Sequence, residues 1–183
     1  KSMDPESPLY YIIKSTIRLN SVIISSSGCL MYISEQTKSA VRMSLDPRIE
    51  QALASHPCYN EEAHRTFARM HIPVAPRCNI QCNYCNRKFD CCNESRPGVT
   101  SEILTPEQAI EKIRYVKERI PNLSVIGIAG PGDPLANEET FRALELIRDE
   151  FPELTTCVST NGLALPDCAH GLYDLGVRFV TVT

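Results

Sequence analysis

Three cysteines crowd into one short stretch, Cys78-Asn79-Ile80-Gln81-Cys82-Asn83-Tyr84-Cys85, with the spacing C-x3-C-x2-C. Three thiolates in one loop can hold three irons of a cubane and leave the fourth iron without a protein ligand. An iron with open coordination can bind substrate. Zinc sites usually pair a C-x2-4-C with a distant second pair to reach four ligands. A bacterial ferredoxin runs C-x2-C-x2-C and ends in Cys-Pro. The spacing here matches neither, so an iron–sulfur cluster with one vacant corner is the expected occupant.

The amino and carboxylate groups of S-adenosylmethionine (SAM) can chelate such a corner and bring the sulfonium beside the cluster. One electron then breaks a carbon–sulfur bond and yields a 5′-deoxyadenosyl radical, chemistry that belongs to the cofactor. Two further loops suit that ligand. Gly130-Pro131-Gly132-Asp133-Pro134 offers glycines that let a ligand approach backbone, and a carboxylate that can pair with an ammonium. Ser159-Thr160-Asn161-Gly162 offers hydroxyl and amide groups. Read alone, the first is equally an ordinary Gly/Pro turn and the second a polar turn. Tyr84 inside the cysteine loop and Thr183 at the end of the last strand are further candidate SAM contacts.

The elements that must position these loops follow a rhythm. Asp46-Pro47 opens a short helix through Ala54, and a second helical stretch runs from Glu61 to Met70. A short extended piece, Ile72 to Ala75, leads into the cysteines. Thr105-Pro106-Glu107-Gln108 is a capping box with proline at the first helical position. Ala109, Ile113, Val116 and Ile120 then mark one apolar helix face. Ser124 to Ala129 reads as a buried strand. Asn137 caps the next helix, with Phe141, Leu144, Ile147 and Phe151 inward. Thr155 to Ser159 is a strand, Pro166-Asp167 starts a helix stopped by Gly176, and Val177 to Thr183 is a last strand. Strand, loop and helix in succession predict an α/β fold with a parallel sheet curving toward a (βα) barrel. All three loops then lie at the carboxyl ends of strands, where ligands of parallel sheets gather.

Residues 1–45 are β-prone at Leu9 to Ile13 and Ser21 to Ile24 but carry no motif. The 183 residues, 43% hydrophobic and 22% charged, suit one soluble domain with a real core. A net charge of −3 supplies no basic face for nucleic acid. Apolar runs are strand-sized, which predicts no membrane span, and no signal-peptide pattern opens the chain. Nine cysteines, an odd count without a secreted framework, point to a reducing cytoplasm with thiols kept for metal.

Longer runs carry a resemblance. These are His56-Pro57-Cys58-Tyr59, Glu61-Glu62-Ala63-His64, Ala68-Arg69-Met70-His71, Cys78 through Lys88, Asn93 through Gly98, Gly127 through Leu135, and Val158 through Pro166. Over residues 46–183 the chain resembles the NifB family of radical SAM proteins, which acts in nitrogenase cofactor assembly. The resemblance implies the first four strands of a six-stranded parallel barrel. Two more strands and a later cysteine pair would follow, and a half barrel is expected not to act alone.

The resemblance implies a fusion reaction: two further [4Fe–4S] clusters joined into an eight-iron precursor, with a carbide from a SAM methyl group and one added sulfur. It also implies partners, namely an Fe–S cluster donor, a reductant of ferredoxin or flavodoxin type, and carrier and scaffold proteins. Cys58, His71, Cys91 and Cys157 are the extra soft or borderline ligands this would need. A protonated imidazole leaves a metal readily, which suits a cluster released later. Alone, Cys157 reads as a small core hydrophobe and His71 as a satisfied histidine. His71 falls just before the first strand in this reading. His56 and His64 rank lower as ligands, and His56 can instead orient Cys58. Cys92 could replace Cys91, though family spacing favours Cys91. Cys29 and Cys168 stay unassigned, and Glu94, Ser95 or Arg96 could serve proton transfer. Two other functions fit the cysteines: a radical SAM enzyme acting on an organic substrate, with the extra cysteines holding auxiliary Fe–S clusters, and a non-catalytic Fe–S carrier or scaffold.

Overall fold

A computed structural model describes residues 11–13, 22–24, 30–32, 47–91 and 101–182. Three short strands, β1 (Tyr11–Ile13), β2 (Val22–Ile24) and β3 (Leu30–Tyr32), form an antiparallel meander. The first two fall in the β-prone segments of the sequence; the third lies outside them. Helix α1 (Pro47–Ala54) follows, then α2 (Glu61–Thr66). The Asn60 side chain caps α2 by accepting from the Glu62 and Ala63 amides at 2.9 and 3.0 Å.

Here the structure departs from the sequence reading. Helix α2 stops at Thr66, not Met70, and strand β4 (Ala68–Pro73) starts four residues before the Ile72 expected. Long-range pairing decides it. The Ala68 amide donates to the Asn122 carbonyl at 2.9 Å, and Asn122 Nδ2 donates to the Thr66 carbonyl at 2.6 Å, closing the helix end. His71 therefore lies inside the strand.

Three βα units complete the chain: α3 (Pro106–Arg119), β5 (Leu123–Ala129), α4 (Glu138–Glu150), β6 (Thr155–Thr160), α5 (Leu165–Asp174) and β7 (Phe179–Val182). Strands β4-β5-β6-β7 pair in that order, all parallel. This is the α/β arrangement of a partial (βα) barrel. The capping box of α3 is reciprocal: the Gln108 amide donates to Thr105 Oγ1 at 3.2 Å, and the Thr105 amide to Gln108 Oε1 at 2.9 Å. Gly176 ends α5 at φ +85°, a conformation that a side chain disfavours.

One core joins the helices to one sheet face. Ile72, Ile126, Ile128, Val158 and Val180 meet Ile113 of α3, Leu144 and Ile147 of α4, and Leu172 of α5. Each fully buried side chain of this kind contributes about 1.5–3 kcal/mol. Most of the buried apolar side chains lie on that face, which leaves the other room for polar groups beside Phe179. Alternation along the strands sends Arg69, His71, Gly127, Cys157, Phe179 and Thr181 there.

Candidate iron–sulfur and SAM site

The cysteine loop leaves β4 through Val74-Ala75-Pro76-Arg77 and has no regular structure. Its own polar groups hold it. The Cys85 amide donates to the Cys82 carbonyl at 3.0 Å, and Gln81 Nε2 donates to the Cys82 and Cys85 carbonyls at 3.1 and 3.2 Å. Arg87 Nε donates to Gln81 Oε1 at 3.1 Å, and the same guanidinium reaches the Ile80 carbonyl. Cys78, Cys82 and Cys85 are half-buried free thiols. Tyr84 between them is 66% exposed.

The loop after β5 lies directly on the chain entering the cysteines. A Cβ on Gly130 would stand 2.3 Å from the Ala75 carbonyl oxygen, and one on Gly132 1.9 Å from that of Arg77. The Gly132 and Asp133 amides donate to those same oxygens at 2.9 Å each. Protein backbone thus fills the space that these glycines leave open. Asn137 begins α4, as read from the sequence, but makes no side-chain capping bond. Its Oδ1 instead accepts from the Arg77 amide at 3.0 Å, and its Nδ2 donates to the Arg77 and Asp133 carbonyls at 2.8 and 2.7 Å.

Asp133 is only 2% exposed, and its carboxylate ties two loops together. It accepts from the Leu135 amide at 2.9 Å and the Asn161 amide at 2.6 Å. The Thr160 hydroxyl donates to it as well, 2.9 Å from either oxygen. Asn161 Nδ2 then donates to Asn79 Oδ1 at 2.7 Å and lies 3.9 Å from Cys78 Sγ. The Cys91 amide reaches the Gly130 carbonyl at 3.4 Å. The loops after β4, β5 and β6 form one hydrogen-bonded layer, with Cys91 at its margin. Ser159 sits one residue below it on β6, paired in register with Thr181.

A second group occupies the inner face. His71, Gly127, Cys157 and Phe179 stand in one row across the four strands. Residues 56–59 cover one end of that row. His56 packs against Tyr59 and Phe179 with ring centroids 4.6 and 4.7 Å away, and the Tyr59 and Thr181 hydroxyls bond at 3.0 Å. The Cys58 amide donates to His56 Nδ1 at 3.2 Å, so His56 orients the Cys58 backbone. The Arg69 guanidinium donates to Cys58 Sγ.

The electrostatics follow from burial and from Arg69. Burial, aided by the Arg69 charge, holds His56 down at about 4. The same two causes lower His71, although its ring still opens to solvent. Burial pushes the Cys157 thiol up to about 12; nearby Cys58 adds to this and Arg69 opposes it. His56 Nε2 is buried without a hydrogen-bond partner among the described residues.

Cys58, His71 and Cys157 therefore share the inner face, whereas Cys78, Cys82 and Cys85 lie in the loop layer above it. Among the described residues no three His, Cys, Asp or Glu side chains converge on a single metal ion. A cubane distributes its donors over separate irons, so a shared point is not what it needs. Cys168 packs against the core on α5, and His64 Nδ1 faces the Pro57 carbonyl at 3.3 Å. Cys29, Cys92, Glu94, Ser95, Arg96 and Thr183 lie outside the described residues. Sequence reasoning missed Arg69, Asn79 and Gly127. Of these only Gly127 left a signal, a glycine in the middle of an apolar strand.

The Radical SAM superfamily model matches residues 72–183, from within β4 to the last strand. The chain belongs to that superfamily. It is 64% identical over 141 residues to the FeMo cofactor biosynthesis protein NifB of Klebsiella pneumoniae, covering 76% of this chain and 30% of that protein. With its namesake from Frankia alni it is 54% identical over 160 residues, 87% and 31% of the two chains. With that of Klebsiella oxytoca it is 64% identical over 118 residues, 64% of this chain and 86% of the other. Within the superfamily, the chain belongs to the NifB family. It spans about three-tenths of the length of the first two relatives.

Proposed function

We propose that the chain carries the SAM-cleaving half of a nitrogenase cofactor biosynthesis enzyme, one that fuses two [4Fe–4S] substrate clusters into an eight-iron precursor. Three free thiols confined to one loop fit a resident cubane with an open corner, and Cys78, Cys82 and Cys85 would hold it. When bound, that cluster supplies a chelating iron for SAM and the electron that cleaves it. The loop layer sets where SAM lies. Asp133, Thr160 and Asn137 fix the loops after β5 and β6 against Arg77 and Asn79, so the cysteine loop is pinned from two sides. Tyr84, Ser159, Asn161 and Thr183 are the proposed SAM-side contacts, while Gly130 and Gly132 seat their loop on Ala75 and Arg77.

The observation that carries the reading is the second set of donors. Cys58, His71 and Cys157 serve no part of the first cluster, yet strand register and the 56–59 segment bring them to the inner face. A SAM enzyme acting on an organic substrate would need them only for an auxiliary cluster, which the product assay below distinguishes. They would seat a substrate cluster, and Cys91 in the margin of the loop layer would serve the other. Arg69 places a positive charge among these donors, which favours thiolates and an anionic cluster. The carbide from a SAM methyl group, the added sulfur, and transfer from a cluster donor to carrier and scaffold proteins belong to this proposal, as does a ferredoxin- or flavodoxin-type reductant.

Anaerobic reconstitution of the full-length protein, followed by assay for 5′-deoxyadenosine and S-adenosylhomocysteine together, tests it. Both products are expected, one from radical formation and one from methyl donation. Finding neither would refute the cofactor-assembly reading. Finding 5′-deoxyadenosine alone would point to an organic substrate.

A further inference from the structure

We infer that Gly127 is a positioning residue for the substrate cluster: its missing side chain is the space in which the His71 imidazole stands beside Cys157. The inference rests on the reading of His71 as a ligand and concerns how the fold places it. A Cβ on Gly127 would stand 2.4 Å from His71 Cδ2 and 2.9 Å from His71 Nε2, with Cys157 Sγ at 3.5 Å. Apart from Gly127 and its two chain neighbours, those three are the heavy atoms nearest to that point. The first two separations are closer than side-chain carbons tolerate; the third is ordinary contact.

Gly130 and Gly132 supply the contrast. What a Cβ would meet there is the backbone of Ala75 and Arg77, so those glycines serve the packing of one loop on another. At Gly127 nothing of the backbone intrudes. The neighbours are the His71 ring, through Cδ2 and Nε2, and the Cys157 sulfur. Strand register explains why. Gly127 pairs with His71 on one side and Cys157 on the other, so both side chains rise from flanking strands and lean over it. Nε2 and Sγ are consequently no farther apart than those two distances laid end to end. That bound lies within the reach of donors on neighbouring irons of one cubane.

A glycine inside a parallel strand weakens it, and a methyl group here would otherwise be welcome. Because His71 opens to solvent, an added methyl is expected to swing the ring away without unfolding the sheet. Gly127→Ala should then act on the substrate cluster alone.

The test uses the full-length protein, reconstituted anaerobically with iron and sulfide. Pulsed EPR reads the nitrogen coupling of an imidazole-bound cluster, and a separate signal, shifted by SAM, reads the three-cysteine cluster. Gly127→Ala should abolish the imidazole coupling and lower affinity for that cluster by roughly 10–100-fold, as for other groups that orient a ligand. The SAM-sensitive signal should persist. His71→Ala is the reference. If His71→Ala leaves the coupling intact, the ligand reading fails and the inference with it. If His71→Ala removes the coupling but Gly127→Ala preserves it, the inference alone is overturned. Should Gly127→Ala prove insoluble, the double variant Gly127→Ala/His71→Ala decides, since removing the ring makes room for the methyl. Recovery of soluble protein with the melting temperature of His71→Ala supports the inference, and continued insolubility overturns it.

Discussion

Replacing Asp133 separates two roles that its position allows. The sequence alone offers it as a partner for the SAM ammonium; the structure shows a buried carboxylate spent on the protein. It accepts from two backbone amides and one hydroxyl, all at 2.6–2.9 Å. Hydrogen bonds to a charged group contribute about 1.5–3 kcal/mol each, and a buried donor left unpaired costs about 1–3 kcal/mol. The three donors share one acceptor group and are not additive, so Asp133→Ala should cost roughly 3–5 kcal/mol. Asp133→Asn keeps the shape and one accepting oxygen but turns an NH2 toward a donor, and should cost roughly 2–4 kcal/mol. Urea unfolding of the protein gives these losses directly. Binding of SAM to the reconstituted protein gives the other half of the comparison. A residue whose work is bracing loses stability first, and SAM affinity falls only because the loop layer loosens. A loss below about 1 kcal/mol together with a tenfold or greater drop in SAM affinity would refute the bracing argument and restore the ammonium contact.

Cys82→Ala should abolish SAM cleavage, whereas His71→Ala should leave 5′-deoxyadenosine formation near wild type and suppress the eight-iron product; product analysis of both variants checks this. Asn137→Ala removes three bonds to Arg77 and Asp133 from a side chain 1% exposed, and should lower stability by about 2–3 kcal/mol in urea unfolding. Acid should weaken the fold through His56. Its folded value of about 4 lies below the ordinary 6.5, so below 6.5 the unfolded chain binds a proton that the folded chain refuses. Stability then falls as the pH drops from 6.5 toward 4, by up to about 3 kcal/mol, and urea midpoints across that window will show the slope or its absence.

The rhythm of the βα units was legible because its signals are local. The Thr105 capping box, the apolar face of α3 and the Gly176 stop each need only a few neighbouring residues. The start of β4 was not legible, since Glu61 to Met70 reads as a helix until Asn122 captures the Thr66 carbonyl from 56 residues away. The misplaced boundary had a consequence. Outside a strand His71 has no defined face; inside one, alternation sends it to the inner surface opposite Ile72. Asn137 failed for the same reason in reverse. Its local context is that of a helix cap, but the Arg77 backbone, 60 residues distant, takes both ends of its amide.

The two donor sets answer to different parts of the physics. The three-cysteine loop depends on a layer of polar side chains, Asp133, Asn137, Thr160 and Asn161, that contributes little apolar burial. The inner-face donors depend on strand register, which the apolar core on the far side of the sheet enforces: a one-residue slip of β5 would turn Gly127 toward the helices and take both Ile126 and Ile128 out of the core. Register is therefore as costly to change as the core itself. The loop layer, by contrast, can be loosened one hydrogen bond at a time. It follows that substitutions in the layer should grade SAM chemistry smoothly, while the seat of the substrate cluster should be either present or lost, with Gly127 and the ring of His71 as the point where the change is made.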